Sequence, residues 1–104
     1  MGRLQSRAVE WSRRAVQLSP KTGYKWNTLG VALYRSRKYP EAIEALQKSL
    51  QYHGENSCDR LFLAMSNWEL GNRSEGMHHY NRATATSGDS TELRRFRIEA
   101  DAKR

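Results

Sequence analysis

Apolar residues recur along most of the chain at intervals of three and four residues, and polar residues fill the positions between them. This spacing places apolar side chains on one face of an α-helix, whereas a half-buried strand would show strict alternation. The pattern therefore predicts an all-α protein. The two clearest stripes consist of Trp26, Leu29, Gly30 and Leu33, and of Ala42, Ile43, Leu46 and Leu50.

Gly30 lies in the middle of the first stripe, where glycine costs a helix about 1 kcal/mol relative to alanine. A glycine at such a position allows a second helix to approach closely. We therefore interpret Gly30 as a helix-packing position rather than a flexible or catalytic one. We expect leucine at this position to be destabilising and alanine to be tolerated.

The chain also repeats itself, because residues 23–55 align with residues 57–88 at an offset of 34 positions. Small residues coincide where helices would approach closely, and large residues coincide where they would fill space. The aligned pairs are Leu29 with Leu63, Gly30 with Ala64, Tyr34 with Trp68, Leu46 with Tyr80, and Ser49 with Ala83.

These landmarks resemble the tetratricopeptide repeat (TPR), a helix–turn–helix unit of 34 residues. The W-x-x-L-G motif of that family is present from Trp26 to Gly30. In the second copy, Arg60 replaces the tryptophan and Gly76 replaces the alanine found at Ala42. The resemblance implies an all-α, TPR-type solenoid of antiparallel helix pairs, a right-handed superhelix of about six helices.

The same frame divides the chain as a single TPR domain, 1–104. Residues 4–20 fit the second helix of a truncated repeat, 23–56 and 57–88 fit two full repeats, and 89–104 fit a capping helix. Asp89 and Glu92 have capping-box spacing at the start of that last helix.

The turn inside the first repeat departs from the pattern. In the second repeat Gly71 can adopt the left-handed conformation that ends a helix. Arg37 occupies the equivalent position in the first repeat, and arginine is not suited to that conformation. We therefore expect this turn to be locally strained or differently shaped.

The composition of the chain limits the kinds of catalytic and metal-binding sites that it can form. The 104 residues suit one domain, carry a net charge of +7 and include one cysteine, Cys58. His53, His78 and His79 have no second ligand at metal-like spacing, and no phosphate-binding glycine loop is present. We therefore predict a non-enzyme with no catalytic residues, no metal site and no cofactor. The cysteine content and the lack of a secretory signal favour a cytoplasmic location.

The resemblance implies a non-enzymatic protein–protein interaction module, or scaffold, that binds a peptide or protein segment on the concave face of its helices. The family's groove positions, carried over one by one, predict contacts from both repeats and the capping helix, with Glu99 as a further candidate. The predicted groove residues are Asn27, Val31, Tyr34, Arg35, Leu61, Phe62, Met65, Trp68, Glu69 and Arg95.

One stripe within this set has two interpretations. Leu61, Met65 and Trp68 have the spacing i, i+4, i+7 and lie off the stripe that packs inside the repeat. They either form an exposed apolar groove with Trp68 as its anchor, or they are core residues buried by the capping helix. The exposure of Trp68 distinguishes the two.

The sequence also allows other kinds of partner to be compared with a peptide or protein segment. The basic surface offers nucleic-acid or acidic-partner binding as an alternative, but the aromatic residues fit repeat packing better than base stacking. No apolar run approaches the roughly 20 residues that a membrane span needs.

The first helix lacks the partner helix that it would have in a full repeat, which leaves Leu4, Trp11 and Leu18 uncovered. We therefore expect either a homodimer through this helix or a helix that shifts to cover itself.

Overall fold

The computed structural model describes the backbone of residues 2–85 and 91–104 and the side chains of residues 7–85 and 93–104. Asp89 and the side chain of Glu92, which form the predicted capping box, lie outside the described residues. The described chain forms six α-helices, which confirms the predicted all-α, TPR-type arrangement. They are α1 (Gly2–Leu18), α2 (Gly23–Arg35), α3 (Tyr39–His53), α4 (Ser57–Glu69), α5 (Arg73–Ala85) and α6 (Thr91–Lys103).

The helices form two hairpins that stack side by side. In each hairpin the two helices lie in contact along their apolar faces, α2 with α3 and α4 with α5. Each hairpin also packs against the helix that precedes it, since α1 contacts α2 and α3 contacts α4. The core is centred on α4, where all seven residues from Leu61 to Asn67 are buried. A stack of this kind buries a continuous core that no single hairpin could form alone.

Gly30 is a close-packing position, as the sequence predicts. A Cβ atom built at this glycine would lie 2.6 Å from Cγ of Leu46 on α3. Leu46 is fully buried. Alanine at Gly30 would therefore require the Leu46 side chain to shift, which argues against the expectation that alanine is tolerated there.

The second hairpin also contains a glycine at a close contact between its two helices, but at a different position. A Cβ atom at Gly76 on α5 would lie 2.2 Å from Nε1 of Trp68 on α4. In the first hairpin the aligned residues are Ala42 and Tyr34, both buried. The larger indole ring of the second repeat therefore requires the glycine that replaces the usual alanine.

The two turns inside the hairpins have the same geometry, and one of them is strained. Gly71 has a φ of 85° and Arg37 has a φ of 63°. In each turn the following residue closes the helix end, since Lys38 N–H donates to the Leu33 carbonyl at 2.9 Å and Asn72 N–H donates to the Asn67 carbonyl at 2.8 Å. The expected strain at Arg37 is confirmed, because arginine is held in the left-handed region that favours glycine.

Candidate protein-interaction surfaces

The apolar part of the predicted groove is core. Leu61, Phe62 and Met65 on α4 have no solvent exposure, and Tyr34 on α2 is buried, with its hydroxyl 3.6 Å from Sδ of Met65. These four side chains cannot touch a ligand in this structure. Leu61 and Met65 are therefore core residues, as in the second interpretation of their stripe, and the prediction of Tyr34 and Phe62 as groove residues is corrected to core.

The side chain that covers this part of α4 comes from α6. The ring of Phe96 meets the ring of Phe62 edge-on, with 4.9 Å between the ring centroids. One helical turn later, Ala100 is fully buried against the core. Three apolar residues of α6 face inward in total, because Leu93 also packs on the core. Spacing alone could not show this cover, because it identifies an apolar stripe and not the element that buries it.

Trp68 lies at the edge of the covered region. It is half-buried, its indole packs on Gly76, and its ring centroid is 5.8 Å from that of Tyr80. Its remaining surface borders a small open cavity that Glu69 and Lys103 also line. Trp68 is therefore mainly a packing residue that keeps one edge at the surface.

Two ion pairs tie the surface of α6 to the predicted groove. Arg35 on α2 donates two hydrogen bonds to the carboxylate of Glu99, one of them 3.0 Å long. Lys103 donates to Glu69 on α4 at 2.8 Å. These hydrogen bonds raise the pKa of Arg35 and of Lys103 above their ordinary values, because each favours the charged form. The sequence indicated Arg35, Glu69 and Glu99, but nothing in it singled out Lys103.

Arg35 is also held by aromatic rings. Its guanidinium carbon lies 5.6 Å from the Tyr34 ring centroid and 5.5 Å from that of Phe62. A planar cation over ring faces gains electrostatic attraction and loses side-chain freedom. The other two predicted positions on this surface, Val31 and Arg95, are half-buried and exposed respectively.

Asn27 belongs to a polar cluster between the repeats. Its side-chain amide donates to the carboxylate of Asp59, which also accepts from Ser49 at 2.6 Å. Asp59 is buried, and burial raises the pKa of its carboxyl above the ordinary value while the two hydrogen bonds lower it. The cluster links α2, α3 and α4. The burial of Asp59 could not be recognised from the sequence, because an acidic residue in the first turn of a helix is also common on exposed helices.

A second polar cluster surrounds Arg60, the residue that replaces the motif tryptophan. Arg60 forms two hydrogen bonds to Glu55, 2.7 and 2.8 Å long, and lies 2.9 Å from Nδ1 of His79. Because Arg60 can only donate, Nδ1 of His79 accepts, and Nε2 carries the proton that faces Glu75 at 3.3 Å. Burial first, and then the charge of Arg60, lower the pKa of His79 below its ordinary value.

The outer face of α1 and α2 exposes three large apolar side chains. Trp11, Leu18 and Tyr24 are 68%, 77% and 62% exposed. Trp11 and Tyr24 border an open cavity of about 420 Å³ whose floor includes Ala8 and Ala15. The side chain of Leu4, predicted to share this face, lies outside the described residues. In a full repeat, another helix would pack here.

The described residues contain no group of three or more histidine, cysteine or acidic side chains placed to hold a metal ion. Within the same residues, none of the helices has the length and apolar character needed to cross a membrane.

The stacked helix hairpins, their small residues at close contacts and their shared turn geometry define a helical-repeat protein. The tetratricopeptide repeat family matches residues 23–56. Residues 23–56 therefore form a tetratricopeptide repeat, in agreement with the resemblance noted from the sequence.

Two known proteins are similar to it. The chain is 35% identical over 81 residues to the small glutamine-rich tetratricopeptide repeat-containing protein 2 of Mycosarcoma maydis. It is 30% identical over 73 residues to the peroxisomal targeting signal receptor of Candida glabrata. The matches cover 78% and 70% of this chain, but they span 22% and 12% of those longer proteins. The repeats and these relatives support a protein–protein interaction module.

Proposed function

We propose that the chain binds a peptide or protein segment along the concave face formed by α2 and α4. The observation that carries the proposal is the convergence of Arg35 and Glu69 from successive repeats on one surface, where each is paired with a charge of opposite sign. A bound segment with one acidic and one basic side chain would be oriented by these two residues. One relative is named as a receptor for a targeting signal, which is consistent with recognition of a short segment.

The test is selection of binders from a displayed peptide library, followed by affinity measurement on variants of the full chain. Arg35→Ala and Glu69→Ala should each weaken the selected peptides about tenfold or more, because removal of one member of a charge pair at an interface raises the dissociation rate. Arg14→Ala on α1 serves as the control, since Arg14 is exposed and lies outside this surface. Peptides that bind all of these variants equally would place the binding surface elsewhere.

We further propose self-association through the apolar face of α1 and α2. Trp11, Leu18 and Tyr24 expose three large apolar side chains on these two helices, and an interface shared by two copies of a chain is most often two-fold. Arg7, Arg13 and Arg14 would oppose their own images, although Arg13 is paired with Glu41 at 3.1 Å.

Analytical ultracentrifugation of the wild type and of Trp11→Glu tests this proposal. The wild type should sediment as a dimer at high concentration and the variant as a monomer. Monomers in both samples would refute it.

A further inference from the structure

The position of α6 differs from that of the helices before it. α2 packs on α1 and α4 packs on α3, so each first helix of a repeat rests on the helix that precedes it. α6 packs instead against α4, and it contacts α5 through the hydrogen bond from Tyr80 to Asp101. Its Glu99 reaches past α4 to Arg35 on α2. α6 therefore lies across the concave face and contacts the first helices of both repeats.

The residues of α6 that contact α2 and α4 lie on one helical face. Phe96, Glu99, Ala100 and Lys103 stand at relative positions 0, +3, +4 and +7, which lie on one side of an α-helix. The opposite side includes Ile98, which is 67% exposed.

Three of these four residues meet a position predicted for ligand binding. Phe96 meets the ring of Phe62, and Lys103 pairs with Glu69. Glu99 pairs with Arg35 through a two-bond carboxylate–guanidinium contact, which has strict geometry. The groove thus already holds a helix whose aromatic and charged side chains match its own.

We propose that α6 is an internal occupant of the concave face, and that the partner is a helical segment with the same face, which displaces it. This inference rests on the proposed function of the concave face and adds the chemistry of the ligand. The partner helix carries an aromatic residue, an acid three positions later, a small residue at the next position and a basic residue at +7.

An internal occupant lowers the apparent affinity for such a partner. A helix that belongs to the same chain competes with the partner at a high effective concentration. The partner therefore binds only the fraction of molecules in which α6 has left the groove, and its affinity falls by that fraction. Any change that weakens α6 without altering α2 and α4 should strengthen partner binding.

The experiment uses a fluorescein-labelled synthetic peptide with the sequence of residues 91–104 and three full-length chains. The first chain is wild type. In the second, Glu99→Arg and Lys103→Glu repel α6 from its partners and keep the net charge. In the third, the same two exchanges are made at Glu10 and Arg14 of α1, both exposed and four positions apart. By fluorescence anisotropy, the peptide should bind the second chain at least tenfold more tightly than the first and third.

A second comparison, in which the charges of the groove and of the peptide are both reversed, serves as the test if the second chain fails to fold. A chain with Arg35→Glu and Glu69→Lys should bind a peptide carrying Glu99→Arg and Lys103→Glu at least tenfold more tightly than the unaltered peptide. Thermal unfolding followed by circular dichroism checks that both altered chains stay cooperatively folded, since an undocked α6 would lose its own helix content. Equal affinities in these comparisons, or loss of cooperative unfolding in both altered chains, would overturn the inference, because a displaceable occupant leaves a folded groove behind.

The outcome also separates this inference from the proposed function. Selected library peptides that depend on Arg35 and Glu69, together with no binding of the α6 peptide, would keep the concave face as the binding surface. They would show that α6 is a structural cap and not a copy of the ligand.

Discussion

Arg37 is held in the left-handed conformation by the turn that joins α2 to α3, with a φ of 63°. This conformation costs a residue with a Cβ atom roughly 1–2 kcal/mol. We expect Arg37→Gly to stabilise the chain by about 0.5–1 kcal/mol, less than the full strain because glycine also gains freedom in the unfolded state. Thermal unfolding followed by circular dichroism should show a midpoint about 2–8 °C higher.

The matched control exchanges the residue at the other turn. Gly71→Arg places arginine at a φ of 85° in a turn with the same hydrogen bonds, so it should lower the midpoint. An unchanged or lower midpoint for Arg37→Gly would mean that the arginine side chain makes a compensating contact.

At Gly30 two effects of alanine oppose each other. The methyl group improves helix propensity by about 1 kcal/mol, but it overpacks Leu46 at a cost of roughly 1–3 kcal/mol. Because Leu46 is fully buried, we expect Gly30→Ala to lower the free energy of unfolding, and Gly30→Leu to lower it further. Urea denaturation measures both.

A double-mutant cycle identifies the cause. In a Leu46→Ala background the obstructing side chain is gone, so Gly30→Ala should become neutral or stabilising. A Gly30→Ala effect that is the same in both backgrounds would show that the contact with Leu46 does not decide the outcome.

At the scale of helices, α4 and α5 are joined by a neutral buried histidine. The folded state lowers the pKa of His79 below its ordinary value of 6.5, so the unfolded chain takes up a proton more readily. The stabilising contribution is therefore complete above about pH 6.5 and is lost as the pH falls through the pKa of the folded state. We expect the urea midpoint to be lower at pH 5.5 than at pH 7.5.

The His79→Gln variant should reduce this pH dependence, since glutamine has no proton to gain in this range. His78→Gln provides the control, because His78 is the exposed neighbour of His79 on the same helix. If His79→Gln and the wild type lose stability in parallel as the pH falls, other groups are responsible.

The helices themselves could be predicted from the sequence, because apolar spacing and repeat period both depend on residues close together in the chain. The strain at Arg37 was also predictable, since the missing glycine is visible in the alignment of the two copies. The assignment of Leu61 and Met65 to a groove failed for a different reason. Their burial depends on how the neighbouring helices pack around α4, and that packing involves side chains far away in the sequence.

The polar clusters could not be predicted from the sequence for the same reason. Asp59 is paired with Asn27, which lies 32 positions away, and each residue alone suits an exposed helix surface. A small polar residue at Ser49, aligned with Ala83, was the one available signal of a buried acceptor nearby. Pairings of this kind follow from the stacking of the repeats and could not be derived from either helix alone.

For the molecule as a whole, self-association would link stability to concentration. A dimer that forms only from folded chains stabilises them by mass action. The thermal midpoint of the wild type should therefore rise as protein concentration increases, whereas that of Trp11→Glu should not. Parallel behaviour of the two proteins would exclude a stabilising interface at Trp11.

The fit between Trp68 and Gly76 also restricts which helices can form hairpins with each other. α4 lies beside both α3 and α5, and a repeated sequence risks pairing a helix with the wrong copy of its neighbour. A hairpin of α4 with α3 in place of α5 would force the indole ring of Trp68 into the methyl group of Ala42. The two hairpins are therefore not interchangeable parts. The contact between Trp68 and Gly76 thus disfavours one wrong pairing, that of α4 with α3.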